Sequence, residues 1–190
     1  MLSEEYKGAA EKIKKGGVGV LPTDTIYGLV GSALSQEAVE HIYQLKGRDN
    51  SKPFIILLSE GEDLNRFGIE LDDFARKKLA ELWPGPVSVV LPCLAEEYEY
   101  LHRGEKTLAF RVPDEENLRN FLEISGPLVA PSANPQDKKP ARNIDEARKY
   151  FGEGVDFYID GGDLEGSPST LVCFRGKKVE LLRQGRRRVK

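Results

Sequence analysis

Short apolar segments typical of strands alternate with amphipathic segments typical of helices along the whole 190-residue chain. The segments that predict strands are 18–21, 54–58, 87–91, 107–112, 128–130, 155–159, 170–174 and 179–182. Helices are predicted between them, at 3–15, 35–46, 71–82, 114–124 and 143–152. Ser35 and Asn143 stand where N-caps belong. This alternation predicts an α/β protein built around one sheet, whose strand order the sequence does not give.

Composition and missing motifs exclude several classes of protein. No apolar run approaches the roughly 18 residues that span a bilayer, and the N-terminal segment lacks a signal-peptide pattern. Cys93 and Cys173 lie far apart, without a Cys-x-x-Cys or HExxH motif that would predict a zinc site. We therefore read both cysteines as buried small hydrophobes, the two His residues as isolated, and the protein as cytoplasmic, with no membrane partner.

Charge is distributed unevenly along the chain. The whole sequence has 28 basic and 31 acidic residues, a net charge of −3, but residues 175–190 hold eight basic residues and one acidic. Residues 175–183 of this stretch belong to the last two predicted strands and the residues directly beside them. We predict that only residues 186–190 form a free, solvated basic tip, whose contact with a nucleic acid would be weak and nonspecific.

The usual nucleotide and nucleophile motifs are absent. The sequence has no GxxxxGK[ST], no GxGxxG after a strand and no GxSxG. These absences argue against a P-loop protein, a dinucleotide-binding fold and an α/β-hydrolase with a nucleophile elbow. Four other segments place hydroxyl, amide and basic groups beside predicted strands: PTDTIYGL at 22–29, KGRDNSKP at 46–53, TLAFRVP at 107–113 and APSANP at 130–135.

Each of these four segments has an alternative interpretation. The threonines and the Asn-Pro pair also fit capped turns, the basic segment fits a solvated loop, and Arg111 inside a strand fits a structural ion pair. Taken together, they favour a site for an anionic, phosphate-bearing ligand. Because no thiol, His pair or carboxylate pair accompanies them, the residues suit positioning and charge stabilisation rather than covalent catalysis.

In this order, the segments PTDTIYGL, KGR–SKP, WPGPVSVVLP, LAFRVP, APSAN, YIDGG–PSTLV and LLRQG resemble the YrdC/YciO family over essentially the whole chain. The resemblance implies one catalytic domain over residues 1–185, with a twisted mixed sheet, flanking helices and a concave basic cavity. It also implies synthesis of threonylcarbamoyl-AMP and pyrophosphate from L-threonine, bicarbonate and ATP, with Mg²⁺, for tRNA threonylcarbamoyladenosine modification. tRNA and the downstream transferase proteins are further partners that it implies.

The resemblance assigns site residues motif by motif. The cations with an implied catalytic role are Lys46, Arg48 and Lys52. The residues implied to bind L-threonine are Thr25, Arg111, Ser132 and Ser169. The residues implied to bind ATP are Arg48, Lys52, Thr107, Asn134, Arg142 and Arg183. The resemblance assigns no Mg²⁺ ligands.

The chain departs from the family pattern at two places. Many members carry a His at the position of Leu57, and many continue the SAN triplet with Ser-Gly, where this chain has PQDKKPARN. The alternative to a synthase is a YciO-like RNA-binding or accessory protein that lacks the full reaction. A carbamoyl-transfer module of the same fold is a third interpretation, although such modules sit within longer chains.

Overall fold

A computed structural model describes residues 2–47 and 52–189. Within these ranges the helices are α1 (Glu4–Lys14), α2 (Gln36–Lys46), α3 (Asp73–Leu82), α4 (Glu99–His102), α5 (Glu116–Ser125) and α6 (Ile144–Phe151). The strands are β1 (Val18–Pro22), β2 (Tyr27–Ser32), β3 (Ile55–Leu57), β4 (Val87–Pro92), β5 (Thr107–Arg111), β6 (Leu128–Val129), β7 (Phe157–Tyr158), β8 (Thr170–Arg175) and β9 (Lys178–Arg183).

All nine of these described strands form one mixed sheet in the order β7-β1-β2-β6-β3-β5-β4-β8-β9. The pairs β1/β7, β3/β5 and β4/β8 are parallel, and the other neighbours are antiparallel. The prediction of an α/β domain around a single sheet is confirmed. The predicted N-caps are also correct, because Ser35 accepts a hydrogen bond from the N–H of Ala38 and Asn143 accepts one from that of Glu146.

Strand β2 was not predicted. Its sequence, YGLVGS, contains two glycines, which weaken the strand pattern, and it follows the polar segment that reads as a turn. In the structure the turn is short, and β2 pairs with β1 from Val18 opposite Gly31 to Pro22 opposite Tyr27. The segment 22–29 therefore contains the tip of a hairpin whose strands are second and third in the sheet.

The two faces of the sheet are covered unequally. One face carries the larger apolar cluster, in which Leu29, Ile56 and Phe110 pack against α2 and α3. The other face packs against α1 and α5, through a smaller cluster drawn from β1, β2, β3, β6 and β7. No described residue of β4, β5 or β8 belongs to that smaller cluster, so this part of the sheet lies open beside the helices.

Two cations of the predicted basic tip are hydrogen-bonded to the rest of the domain. Arg186 donates a hydrogen bond from its backbone N–H to the carbonyl of Pro168 and one from its side chain to the carbonyl of Asp24. Arg187 donates to the carbonyls of Glu81 and Leu82, at the C-terminal end of α3. Since these terminal carbonyls lack helical partners and attract cations, Arg187 suits this position. The expectation of a free tip is wrong for Arg186 and Arg187, although both residues stay exposed.

The two cysteines differ in burial. Cys93 is buried as expected, whereas Cys173 is only half-buried. Within residues 2–47 and 52–189, no helix has the length and apolar character that crossing a membrane requires.

Candidate functional site

A cavity of about 250 Å³ lies against the open part of the sheet. It is lined by residues of β3, β5, β8 and β9, by the loop that follows β6, and by the tip of the β1–β2 hairpin. All four residues predicted to bind L-threonine line it, as does one residue predicted to bind ATP: Thr25, Arg111, Ser132, Ser169 and Arg183. These side chains are far apart in the sequence, and the sheet brings them together.

Arg111 lies at the end of β5, with 4% of its surface exposed. Its Nη1 donates to the hydroxyl of Thr25 at 3.0 Å, and its Nη2 lies 3.3 Å from Oδ1 of Asp24. The Asp24 contact is an ion pair without hydrogen-bond alignment, and Nε of Arg111 has no hydrogen-bond partner among the described residues. The alternative interpretation of Arg111, as a residue in a structural ion pair, is therefore correct for its Nη2 atom. Its buried Nε–H stays available as a hydrogen-bond donor.

Burial lowers the pKa of Arg111, the charge of Asp24 opposes this effect, and the positive charge of Arg183 adds to it. Arginine remains cationic in proteins at ordinary pH. Two guanidinium groups therefore act on one small cavity, with one buried carboxylate as a partial counter-charge. Such an arrangement attracts an anionic ligand group.

The hairpin tip that carries Thr25 is fixed by its own hydroxyls. The Thr23 hydroxyl donates to the carbonyl of Ile26 at 2.7 Å and accepts from the N–H of Thr25 at 3.2 Å. The two threonine hydroxyls lie 3.0 Å apart. This closed turn orients the Thr25 hydroxyl toward Arg111, which is why a Thr-x-Thr pattern suits the position.

Two glycines allow neighbouring chain segments to pass close to this tip. A Cβ atom at Gly166 would lie 1.8 Å from the carbonyl oxygen of Thr25, and one at Gly185 would lie 2.2 Å from that of Pro168. Tyr27 fixes the start of the first segment, because its hydroxyl accepts from the N–H of Gly161 and donates to the carbonyl of Gly162. Segments 161–169 and 184–187 therefore close one side of the cavity.

Lys46 is buried at the end of α2 and holds the loop that follows β6. Its Nζ donates to the carbonyls of Ser132 and Asn134, at 2.7 and 2.6 Å. The hydroxyl of Ser132 donates to Oδ1 of Asn134, and the amide of Asn134 donates to the carbonyls of Pro135 and Lys138. In this structure Lys46 thus shapes the Ser132–Asn134 loop, and the contact of Asn134 with ATP stays a prediction.

Ser169 shares a hydrogen bond with Ser88, a buried residue of β4 that was not predicted as part of the site. Their hydroxyl oxygens lie 2.8 Å apart. Ser88 is the one polar residue in the apolar run 87–91, and that interruption is the signal that could have identified it. Asp24 was also missed as a partner of Arg111, although it lies inside the 22–29 segment.

Apart from Arg183, the predicted ATP residues that the structure describes do not line this cavity. Arg183 lines it and donates to the carbonyl of Ser169 at 3.0 Å. Thr107 lies on the same face of β5 as Arg111, and Lys52 is exposed. Arg48 lies outside the described residues.

Arg142 lines a second, larger cavity of about 830 Å³ that shares Ile26 and Pro168 with the first. Its side chain forms an ion pair with Glu146 at 2.8 Å. Hydrogen bonding to that carboxylate raises the pKa of Arg142 and lowers the pKa of Glu146. The two cavities therefore adjoin at the hairpin tip.

Among the residues described, no group of three or more His, Cys, Asp or Glu side chains is arranged to hold a metal ion. Mg²⁺ often binds through substrate phosphates with few protein carboxylates, so the use of Mg²⁺ stays a prediction.

A family model for Sua5, YciO and YrdC proteins, described as "Telomere recombination", matches residues 11–185. The chain belongs to this family. The threonylcarbamoyl-AMP synthase of Marinobacter nauticus is 34% identical over 168 residues, which cover 86% of this chain and 88% of that protein.

Two solved structures of this family have the same fold. Pyrococcus abyssi Sua5 complexed with L-threonine matches with a TM-score of 0.87 and 33% identity, over 95% of this chain and 54% of that one. Escherichia coli YciO matches with a TM-score of 0.83 and 25% identity, over 95% and 88%. The chain thus spans about half the length of the P. abyssi proteins that it matches.

Proposed function

We propose that this protein is a threonylcarbamoyl-AMP synthase, a nucleotidyltransferase that joins L-threonine, bicarbonate and ATP. The observation that carries the proposal is the unpartnered Nε of buried Arg111 beside three hydroxyl-bearing residues of one small cavity. Homologues that bear the synthase name, over most of this chain, support the same reaction.

Arg111 is proposed to hold the threonine carboxylate. The ligand carboxylate would accept from Nε and complete the charge balance that Asp24 provides only in part. The hydroxyls of Thr25, Ser132 and Ser169 then offer donors and acceptors to the amino acid. A cavity of about 250 Å³ suits a small ligand of this kind.

ATP is proposed to lie next to threonine, where the cavity meets the open sheet. Arg183, Lys52, Arg142 and Arg48 are the cations assigned to its phosphates, and Thr107 and Asn134 are assigned neighbouring contacts. The larger cavity beside the hairpin tip provides the additional space that a nucleotide requires. Mg²⁺ is proposed to enter bound to the ATP phosphates, where it would neutralise part of their charge.

The reaction is proposed to run in two steps. The threonine amine attacks carbon dioxide derived from bicarbonate, forms a C–N bond and releases a proton, which gives an N-carboxylate. An oxygen of that carboxylate attacks the α-phosphorus of ATP, and the bond to the leaving pyrophosphate breaks. Both partners in the second step are anions, so the task of Arg111, Arg183 and the Lys/Arg residues of the 46–52 segment is to reduce repulsion and align them.

The test is to incubate the pure protein with ATP, Mg²⁺, bicarbonate and labelled L-threonine. We expect pyrophosphate release that depends on threonine, and labelled threonylcarbamoyl-AMP. The absence of both, under conditions where the M. nauticus enzyme forms product, would contradict the proposal. Binding of tRNA without product formation would instead support the accessory, YciO-like function.

A further inference from the structure

The chain entering β3 is held by the ring of Tyr43 on α2. The Tyr43 hydroxyl donates to the carbonyl of Lys52 at 2.9 Å. Its ring stacks on Phe54, with 4.1 Å between ring centres and 23° between their planes. Both rings are buried, and Phe54 lines the 250 Å³ cavity. Tyr43 thus connects a backbone position of the basic segment with a wall of the candidate site.

Arg103 covers the other face of the Tyr43 ring. Its guanidinium carbon lies 4.3 Å from the ring centre, and because Phe54 is equally close, the two groups must occupy opposite faces. The guanidinium Nη2 lies 2.7 Å from Oε1 of Glu40. Neither Nε nor Nη2 of Arg103 has an aligned hydrogen bond among the described residues. The guanidinium is therefore held by its ion pair with Glu40 and by its contact with the Tyr43 ring.

The backbone of Arg103 supports a specific role for its side chain. The residue ends α4 with φ 51° and ψ 34°, in the left-handed region that usually favours glycine. Residues held in this region are uncommon unless the surrounding structure requires them. Here a large cation occupies the position and reaches Tyr43, which a glycine could not do.

We propose that Arg103, oriented by Glu40, is a positioning residue that sets Lys52 and Phe54 through the ring of Tyr43. The inference rests on the proposed function, because Lys52 matters to catalysis only if it contacts ATP phosphates. The guanidinium of Arg103 attracts the ring of Tyr43 and limits its movement. The Tyr43 hydroxyl then holds the carbonyl of Lys52, and the Tyr43 ring holds Phe54. Small errors in the placement of a phosphate-binding group cost much of its effect.

The test compares Arg103→Met and Arg103→Lys with the wild-type protein. Methionine covers the ring without a charge, whereas lysine restores the charge. We expect Arg103→Met to raise the KM for ATP about three- to tenfold, the range for loss of a partly buried cation–ring contact, and to leave the KM for threonine within about twofold. Amide exchange in the peptide covering residues 52–58 should become faster, and Arg103→Lys should recover part of both effects.

Arg148→Met is the matched control, because Arg148 lies 4.4 Å above the ring of Tyr158 and lines neither cavity. It should change neither KM nor exchange at 52–58. If Arg103→Met does not fold, Glu40→Gln tests the same contact and should raise the KM for ATP by a smaller factor.

Three outcomes decide the inference. An unchanged KM for ATP with unchanged exchange at 52–58 would overturn it, as would an equal rise in the KM values for ATP and threonine. If the wild-type protein forms no adenylate, the proposed function fails separately. The Kd for Mg-ATP from calorimetry, measured on the same variants together with amide exchange, then decides whether Arg103 positions the segment.

Discussion

Arg111 and Asp24 offer the sharpest test of the proposed threonine site. Each side chain is only 5% exposed, and their charged atoms lie 3.3 Å apart. Removing Arg111 alone, as Arg111→Met, would leave the Asp24 carboxylate buried without a counter-charge. Loss of one partner from such a pair costs about 3–5 kcal/mol of folding free energy. For a domain of this size, each 1 kcal/mol lowers Tm by about 2–4 °C, so the loss should be obvious in a thermal melt.

The double variant Asp24→Asn/Arg111→Met separates folding from binding. It contains no buried charge at this position, so most of the lost stability should return. Threonine affinity should not return, because truncating a buried charged partner weakens binding by about 2–5 kcal/mol, or roughly 30-fold to several thousand-fold. Asp24→Asn alone keeps Arg111 and should be stabilised by threonine more than the wild-type protein, since the ligand carboxylate then supplies the missing counter-charge.

Thermal denaturation and calorimetric titration with L-threonine measure these effects on the four proteins of the cycle. Threonine binding by the double variant within about twofold of wild type would refute the carboxylate contact of Arg111. A double variant as unstable as Arg111→Met would instead refute the ion-pair account of Asp24.

Three further predictions concern the frame of the site. Lys46→Met should destabilise the fold by about 1–3 kcal/mol in chemical denaturation, because two loop carbonyls lose their buried donor; an unchanged midpoint would contradict this. Gly185→Ala should lower Tm, because its Cβ would meet the carbonyl of Pro168, whereas Gly8→Ala, in open space on α1, should raise stability by about 0.5–1 kcal/mol. Burial raises the pKa of Tyr100 to about 12, so the phenol stays neutral in the folded protein after it ionises near pH 10 in the unfolded chain. The free energy of unfolding should therefore fall between pH 10 and 12, and it should fall less steeply in Tyr100→Phe.

Features fixed by neighbouring residues could be predicted from the sequence. Ser35 caps α2 because its hydroxyl accepts a hydrogen bond from an N–H three residues ahead. A Ser directly before the first apolar residues of a helix is the pattern that predicts such a cap. A strand was predicted over 107–112, and the structure has β5 over Thr107–Arg111. Because side chains alternate along a strand, Arg111 lies on the same face as Ala109, and both line the cavity.

Features that depend on distant contacts could not be predicted in the same way. The placement of β6 between β2 and β3 is set by packing across the sheet, which leaves no periodic signal in a two-residue strand. Arg186 and Arg187 read as solvated charges, because the sequence does not show that the carbonyls of Asp24, Glu81 and Leu82 lie within their reach. The role of Lys46 was likewise hidden, since its partners are backbone atoms of residues 132 and 134.

Leu57, where many family members carry a His, lies beside Arg111 but brings no polar group to the site. Leu57 pairs in register with Arg111 on the parallel strand β5, so the two side chains lie next to each other on one face. Leu57 is fully buried in the cluster beneath α1 and α5 and does not line the cavity, whereas Ile55, two residues earlier, does. Its methyl groups therefore form part of the apolar surroundings in which Arg111 is desolvated. A desolvated guanidinium gains more from an incoming carboxylate than an exposed one does, so the proposed recognition of threonine would rely on Arg111 and the neighbouring hydroxyls.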